Sequence, residues 1–222
     1  MKIWCISDTH CQHWSLIPPK VDMVIHAGDS TNSRNPDINF NELLDFLDWY
    51  EKLEIKYKIF IAGNHDTAIG FNRIRKDEFT KRGLIYLEHD SITIEGINIF
   101  GSPFTPTFGS GWAFNKDRGK LDKYWREIPE NTDVIITHGP PLGILDKTFN
   151  GEEGLCNTGC RALKRRIDIV KPKFHIFGHL HDESDVYNAG MFKKNSEKTW
   201  YINASVVDLR HNFVNEGEII EI

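Results

Sequence analysis

Short apolar runs punctuate the chain, and segments with helical periodicity fill the space between them. Residues 2–7, 21–27, 57–62, 98–101, 133–137 and 174–177 are each apolar enough and short enough to be buried strands. Between the second and third runs, residues 39–54 place Phe40, Leu43, Leu44, Leu47 and Tyr50 at helical spacing. Another helix is expected over 116–127. A third follows Asn157, carries Leu163, Ile167 and Val170 on one stripe, and stops at Pro172. Ile92 and Ile94 alternate before Gly96 turns the chain into the run 97–100, which spells a hairpin. Residues 186–192, 199–203 and 218–222 read as further strands with no long helix between them. The pattern predicts an α/β fold with two sheets, parallel in part and antiparallel at the end.

Composition narrows the function more than the fold. A chain of 222 residues can build a sizeable core without disulfide or metal staples. Its net charge of −5 argues against a grip on nucleic acid, which needs a basic excess to meet the phosphates. No apolar stretch approaches the roughly 18 residues of a membrane span. The strand-like start at Ile3-Trp4-Cys5-Ile6 is unlike the apolar core of a signal peptide. A cytoplasmic protein without a membrane partner is the expectation. Cys5, Cys11, Cys156 and Cys160 fit no zinc-ribbon spacing and read as reduced thiols.

Chemistry gathers at the C-terminal ends of the apolar runs, where open α/β sheets place their sites. The runs end in Asp8-Thr9-His10, Gly28-Asp29, Gly63-Asn64-His65-Asp66, His138-Gly139-Pro140-Pro141 and Gly178-His179-Leu180-His181. A lone Asp-x-His is expected about once by chance and carries little. Five of ten histidines at strand ends are another matter. His179 and His181 alternate, so both can face one site. A nitrogen and oxygen donor set suits Mn, Fe, Zn, Co or Ni rather than an iron–sulfur cluster or a cysteine zinc site. Seven candidate ligands exceed the needs of one ion and suggest two, and an aspartate has two oxygens with which to bridge them.

The ordered set of these five segments resembles the calcineurin-like metallophosphoesterases. Gly101-Ser102-Pro103, Trp112-Ala113-Phe114-Asn115, Arg118-Gly119, residues 137–143, Gly159-Cys160 and Tyr201-Ile202-Asn203-Ala204-Ser205 are similar to the metallophosphoesterase-domain-containing branch. That branch is related to class III cyclic-nucleotide phosphodiesterases. The resemblance implies a single domain over 1–222, folded as a four-layer αββα sandwich of two mixed β-sheets flanked by helices. It implies two divalent metal ions, Mn first, with Fe, Zn, Co or Ni as alternatives. Asp8, His10, Asp29 and His181 would hold one ion. Asp29, Asn64, His138 and His179 would hold the other, with Asp29 bridging.

The same resemblance implies hydrolysis of a small-molecule phosphodiester or nucleotide, cyclic nucleotides included, by attack of a metal-bridging hydroxide. Asp29 and His65 would be the catalytic residues, with His65 protonating the leaving oxygen. Asn64, His65, Asn115 and Arg118 would bind substrate. A phosphomonoesterase, a nuclease, or a metal-bound non-catalytic interaction protein are the alternatives. The segment Gly28-Asp29-Ser30-Thr31-Asn32-Ser33-Arg34 lacks the second Asp found in protein Ser/Thr phosphatases, which weakens that reading.

Other residues carry plainer expectations. Asp66 either orients His65 or caps the helix after it. His26 reads as a hydrogen-bonded core residue, and His13, His89, His175 and His211 as surface or structural. Cys11 reads as packing beside the metal loop. Lys164, Arg165 and Arg166 read as a solvated face. Residues 103–111 form a Gly/Pro/aromatic loop of the functional kind. Its neighbourhood offers Phe104, Phe108, Trp112 and Phe114, either to stack a nucleobase or to close the core.

Overall fold

The computed structural model describes residues 1–151 and 154–222. In chain order its strands are β1 (Lys2–Ile6), β2 (Met23–His26), β3 (Tyr57–Phe60), β4 (Ile85–Tyr86), β5 (Asp90–Ile94) and β6 (Ile97–Ser102). They continue with β7 (Thr105–Pro106), β8 (Asn115–Lys116), β9 (Val134–Thr137), β10 (Lys147–Asn150) and β11 (Gly154–Asn157). The last are β12 (Phe174–Phe177), β13 (Gly190–Phe192), β14 (Trp200–Asn203) and β15 (Glu218–Glu221). The helices are α1 (Pro36–Glu51), α2 (Thr67–Gly70), α3 (Asp77–Lys81), α4 (Leu121–Trp125) and α5 (Arg161–Val170).

Two mixed sheets result, in the orders β15-β1-β2-β3-β4 and β13-β14-β12-β9-β6-β5. β1 to β4 are parallel and β15 closes that sheet antiparallel. β6, β9, β12 and β14 are parallel, with β5 and β13 antiparallel at the two edges. β7–β8 and β10–β11 are separate two-stranded ribbons.

Alternation along each strand builds the layers. Ile3 and Cys5 of β1, with Met23, Ile25 and Ile59, point between the sheets and meet Ile99, Val134, Ile136, Ile176 and Ile202. Trp4, Ile6, Val24 and Phe60 point the other way, onto Leu43, Phe46, Leu47 and Tyr50 of α1. On the far side, Phe100, Ile135, Phe177 and Tyr201 pack on Leu121, Trp125, Leu163 and Ile167 of α4 and α5. The order helix, sheet, sheet, helix is the expected sandwich. It also explains why the runs are apolar at nearly every position: both faces of each sheet are covered.

The differences from the sequence pattern have local causes. α1 starts at Pro36 rather than 39, because Asn35 caps it by accepting from the Asp37 amide and Pro36 suits the first turn. The segment 116–127 is not one helix: Asp117 caps a single 3₁₀ turn at Arg118–Lys120, and α4 follows. Residues 186–189 do not extend β13, because the Asn188 and Ala189 amides donate to Asp182 instead of to a neighbouring strand. Lys171 ends α5 in a left-handed conformation just ahead of Pro172. Among the described residues, no helix is long and apolar enough to cross a membrane. All four cysteines are free thiols.

Candidate metal centre

Parallel strands point their C-terminal ends the same way, so the loops after β1, β2, β3, β9 and β12 converge at one edge of the sandwich. Asp8, His10, Asp29 and His179 all adopt left-handed backbone there, with φ of 54°, 41°, 55° and 72°. Such conformations cost on the order of 1–3 kcal/mol each and persist where the surroundings enforce them. Here the loops brace each other, with the Asp8 amide donating to Gly28 O at 2.9 Å and the His10 amide to Asp29 O at 3.2 Å. Two motif glycines have a steric reason. A Cβ on Gly63 would collide with the Asp29 carboxylate, and one on Gly178 with the Asp8 carboxylate.

Three histidines are anchored alike. His10, His138 and His181 turn Nδ1 to the carbonyls of Thr31 (3.1 Å), Ala27 (2.9 Å) and Asp208 (3.1 Å). Each therefore presents Nε2 inward, the arrangement that orients an imidazole for a metal. His181 Nε2 lies 3.2 Å from Asp8 Oδ1. His138 Nε2 lies 3.0 Å from Asn64 Oδ1 and 3.2 Å from Asp29 Oδ2. His10 Nε2 is buried with no hydrogen-bond partner, 4.0 Å from Asp29 Oδ2. The donor atoms of His10, Asp29 and His65 lie within 4.8 Å of one another, as do those of Asp29, His138 and His179. Asp29 is the member common to both groups.

Charge is poised for a cation. Burial opposes ionisation of Asp8 and Asp29, yet His181 beside Asp8 and His138 beside Asp29 hold both carboxyls below the usual carboxylate range. Burial pushes His10 and His179 down to about 3, so near neutral pH both keep a free lone pair. Burial also works against a proton on His138, but Asp29 prevails and raises it to about 9. The orphaned His10 nitrogen, the neutral imidazoles of His10 and His179 and two buried carboxylates fit a divalent cation, which would displace the proton from His138 on binding, since it takes deprotonated nitrogen and oxygen ligands.

Asp66 does neither of the things expected of it. Its carboxylate leaves α2 without a side-chain cap. It accepts instead from the amides of Gly63 (2.7 Å), Asp29 (2.9 Å), Ser30 (3.1 Å) and Thr31 (3.2 Å), and from the hydroxyls of Ser30 and Thr31. It thus fixes the loop that carries Asp29. Burial, then the nearby Asp29 charge, push it up to about 6. His65 is oriented by Asn32, whose carbonyl meets Nδ1 at 3.0 Å, and its own amide donates to Asp29 Oδ1 at 2.6 Å. Asn39, buried on α1, bonds Thr31 Oγ1, Ser33 O and His65 O. Sequence reasoning missed Asn39, although a polar residue on the apolar face of a helix was its visible signal.

A model of the calcineurin-like phosphoesterase family matches residues 1–183. The chain belongs to that family. It is therefore a metal-dependent phosphoester hydrolase by descent. Human metallophosphoesterase domain-containing protein 1 is 33% identical over 98% of this chain and 70% of its own length. A 3′,5′-cyclic-nucleotide phosphodiesterase of Nostoc is 24% identical over 74% of this chain and 58% of its own length. A solved structure from Thermus thermophilus, TT1561, superposes with a TM-score of 0.65 over 92% of this chain and 88% of that one, at 9% identity. At that identity it supports the fold alone.

Around the centre of this phosphoesterase the remaining expectations divide. Phe108 approaches the His179 ring at 5.0 Å, and Trp112 approaches His65 at 4.4 Å, so these two face the site. Phe104 stacks on His89, and Phe114 packs on the α1 side of the core. Arg118 lines a cavity of about 290 Å³ with Pro106, Phe108, Pro140, His179 and Leu180, while its guanidinium donates to Thr158 O and Gly159 O. Asn115 commits its amide nitrogen to Thr105 Oγ1 and Ala113 O, while its buried Oδ1 has no hydrogen-bond partner. His26 is a core residue bonded to Thr9 Oγ1 and the Gly28 amide, as expected. The basic run is not simply solvated: Lys164 pairs with Asp168 and Glu197, and Arg165 with Asp122.

His211, expected as surface or structural, is half-exposed and packs beside the site. Its ring stacks on His10 with centroids 4.0 Å apart and planes 4° from parallel. Nothing in the linear pattern marked it, because it follows no strand.

Proposed function

We propose that the phosphoesterase hydrolyses small-molecule phosphodiesters, cyclic nucleotides among them, with two divalent ions of which Mn is the first candidate. Asp8, His10, Asp29 and His181 would hold one ion, and Asp29, Asn64, His138 and His179 the other. The observation that carries this reading is the buried Asp29 carboxylate, set between His10 at 4.0 Å and His138 at 3.2 Å. When bound, such an ion pair supplies an activated water and neutralises phosphoryl charge.

The chain's own residues do the rest. Asp66 and His65 hold the Asp29 loop and carboxylate in place through the bonds described above. With Nδ1 held by Asn32, His65 has Nε2 left to pass a proton to the leaving oxygen, and Asn64 adjoins it at the phosphate. Arg118 borders the cavity beside His179, whose walls of Pro106, Phe108, Pro140 and Leu180 suit the organic arm of a diester. Its guanidinium is already bonded to carbonyls, which favours the single charge of a diester over the double charge of a monoester. Asn115 fixes the Thr105 loop through its amide nitrogen and has its Oδ1 left for the substrate. The acidic net charge disfavours a polynucleotide substrate.

The test is turnover of bis-p-nitrophenyl phosphate against p-nitrophenyl phosphate by Mn²⁺-loaded protein. A panel of 2′,3′- and 3′,5′-cyclic nucleotides and linear diesters follows. Faster turnover of the diester is expected. Faster turnover of the monoester would overturn the diester reading, and no hydrolysis of either would overturn the enzyme reading.

A further inference from the structure

Beyond the metal centre, a second cavity shares a wall with the one beside His179. It holds about 570 Å³ and is lined by Arg118, Arg161, Arg165 and Asp122, with Thr158 and Gly159 where it meets the first. Three arginines against one aspartate give this lining an excess of positive charge, on a chain whose net charge is −5. A basic hollow in an otherwise acidic protein draws an anion, and its low-dielectric walls focus the field.

The arginines are not equivalent. Arg118 stands at the junction, where its guanidinium donates to Thr158 O at 2.8 Å and Gly159 O at 3.3 Å. Arg165 lies 3.2 Å from Asp122 in an exposed pair, which holds only weakly. Arg161, the first residue of α5, is exposed, and among the described residues no carboxylate pairs with it. The wall between the cavities is braced. Buried Asp146 accepts from the Gly143 and Gly159 amides, both at 2.9 Å. The Cys160 amide donates to Pro140 O at 2.9 Å, and the Leu142 amide to Cys160 O at 3.2 Å. These bonds tie the start of α5 to the loop that carries His138. Arg161 therefore stands at a set offset from the metal centre.

We propose that the arginine cavity is a subsite for a second anionic group, so that the substrate is a diester one of whose arms ends in a phosphate. This rests on the diester reading above and narrows it. The scissile phosphate lies at the metal centre, the organic arm passes Pro106, Phe108 and Pro140, and the terminal phosphate meets Arg161 and Arg165. A guanidinium fork matches phosphate oxygens two at a time. A nucleoside carrying a second phosphate on its sugar has this form. A simple cyclic nucleotide, with one phosphate, reaches only the first cavity.

Two esters with the same scissile bond test this: the p-nitrophenyl ester of thymidine 5′-phosphate, and the same ester carrying a 3′-phosphate. With Mn²⁺-loaded wild type, the 3′-phosphate should lower KM at least about tenfold, the worth of a charge-assisted contact, with kcat little changed. Arg161→Ala should abolish most of that difference, Arg161→Lys should keep part of it, and Arg161→Glu should make the phosphorylated ester the poorer one. Calorimetric titration reads binding without turnover. Thymidine 3′,5′-bisphosphate should bind wild type at least about tenfold tighter than thymidine 5′-phosphate, and Arg161→Ala should bind the two nearly alike. Equal KM for the two esters and equal affinity for the two nucleotides in wild type would overturn the proposal. So would a preference that survives intact in Arg161→Glu. Hydrolysis of neither ester would instead sink the diester reading, and the titration would still decide the subsite.

Discussion

His65 and His179 sit within one centre yet should fail in different ways. His65 is fixed through Asn32 and the Asp29 carboxylate, and its loss removes no donor from the ligand sets proposed above. His65→Ala should retain two ions and slow alkyl diesters far more than nitrophenyl ones. An alkoxide needs protonation to depart and a nitrophenolate does not, and general-acid help of this kind is worth about 10²–10⁴-fold. Steady-state rates on both substrate types check this, and equal losses would assign His65 to phosphate positioning alone. His179→Gly, by contrast, should leave the fold intact and make turnover depend on added Mn²⁺, since Asn64, His138 and Asp29 remain as weaker holders. Mn²⁺ activation curves identical to wild type would remove His179 from the ligand set. These residues were legible because each follows an apolar run, and the glycines before Asn64 and His179 leave room for the carboxylates of Asp29 and Asp8. His211 and the Asp66 cradle were not. Their meaning lies in contacts with His10 and with residues 29–31, far off in sequence and invisible to local spacing.

At the scale of the elements, the strands carry a hidden acid sensitivity. His26 in β2 and His175 in β12 are wholly buried, packed among Phe46 and Phe60 on one side of the molecule and Phe177 on the other. Burial pushes both down to about 3, slightly offset for His26 by Asp8. In the unfolded chain both regain a value of about 6.5. Between those limits the unfolded state binds the protons that the folded interior refuses, so stability is intact above about pH 6.5 and falls as pH drops. Each histidine should contribute about 1.4 kcal/mol of loss per pH unit. Urea unfolding of metal-free protein at pH 7.5 and 5.5 reads the slope. His175→Leu should reduce the loss between these two pH values by about 1.4 kcal/mol, since Thr137 keeps its own bond to Gly139 O. An unchanged slope in that variant would mean that His175 is not held neutral. The strand positions were legible because two-sided burial makes apolar runs. The short β4, α2 and α3 were not, because a few residues carry no periodicity, and the start of α1 turned on the cap at Asn35-Pro36 rather than on its apolar stripe.

Across the whole molecule, the centre draws on both sheets. Asp8, His10, Asp29 and Asn64 follow strands of the first sheet, and His138, His179 and His181 follow strands of the second. Protein contacts already cross this seam, with the His179 amide donating to Asp8 and the Val206 amide to Ser7 O at 3.1 Å. Ions held by ligands from both sides would add cross-links that the unfolded chain lacks, so metal binding should appear as stability. At a free concentration a hundred times its dissociation constant, one ion stabilises by about 2.7 kcal/mol. For a chain of this size that corresponds to roughly 5–10 °C in thermal midpoint. Calorimetry of chelator-treated protein with and without Mn²⁺ should therefore show a rise of that order for each ion. The increments also locate the ions. His179→Gly should lose one increment and keep the other, and Asp29→Ala should lose both, whatever each substitution does to the metal-free midpoint. A full double increment surviving in Asp29→Ala would show that its carboxylate does not join the two sites, and the centre would have to be rebuilt around Asp8.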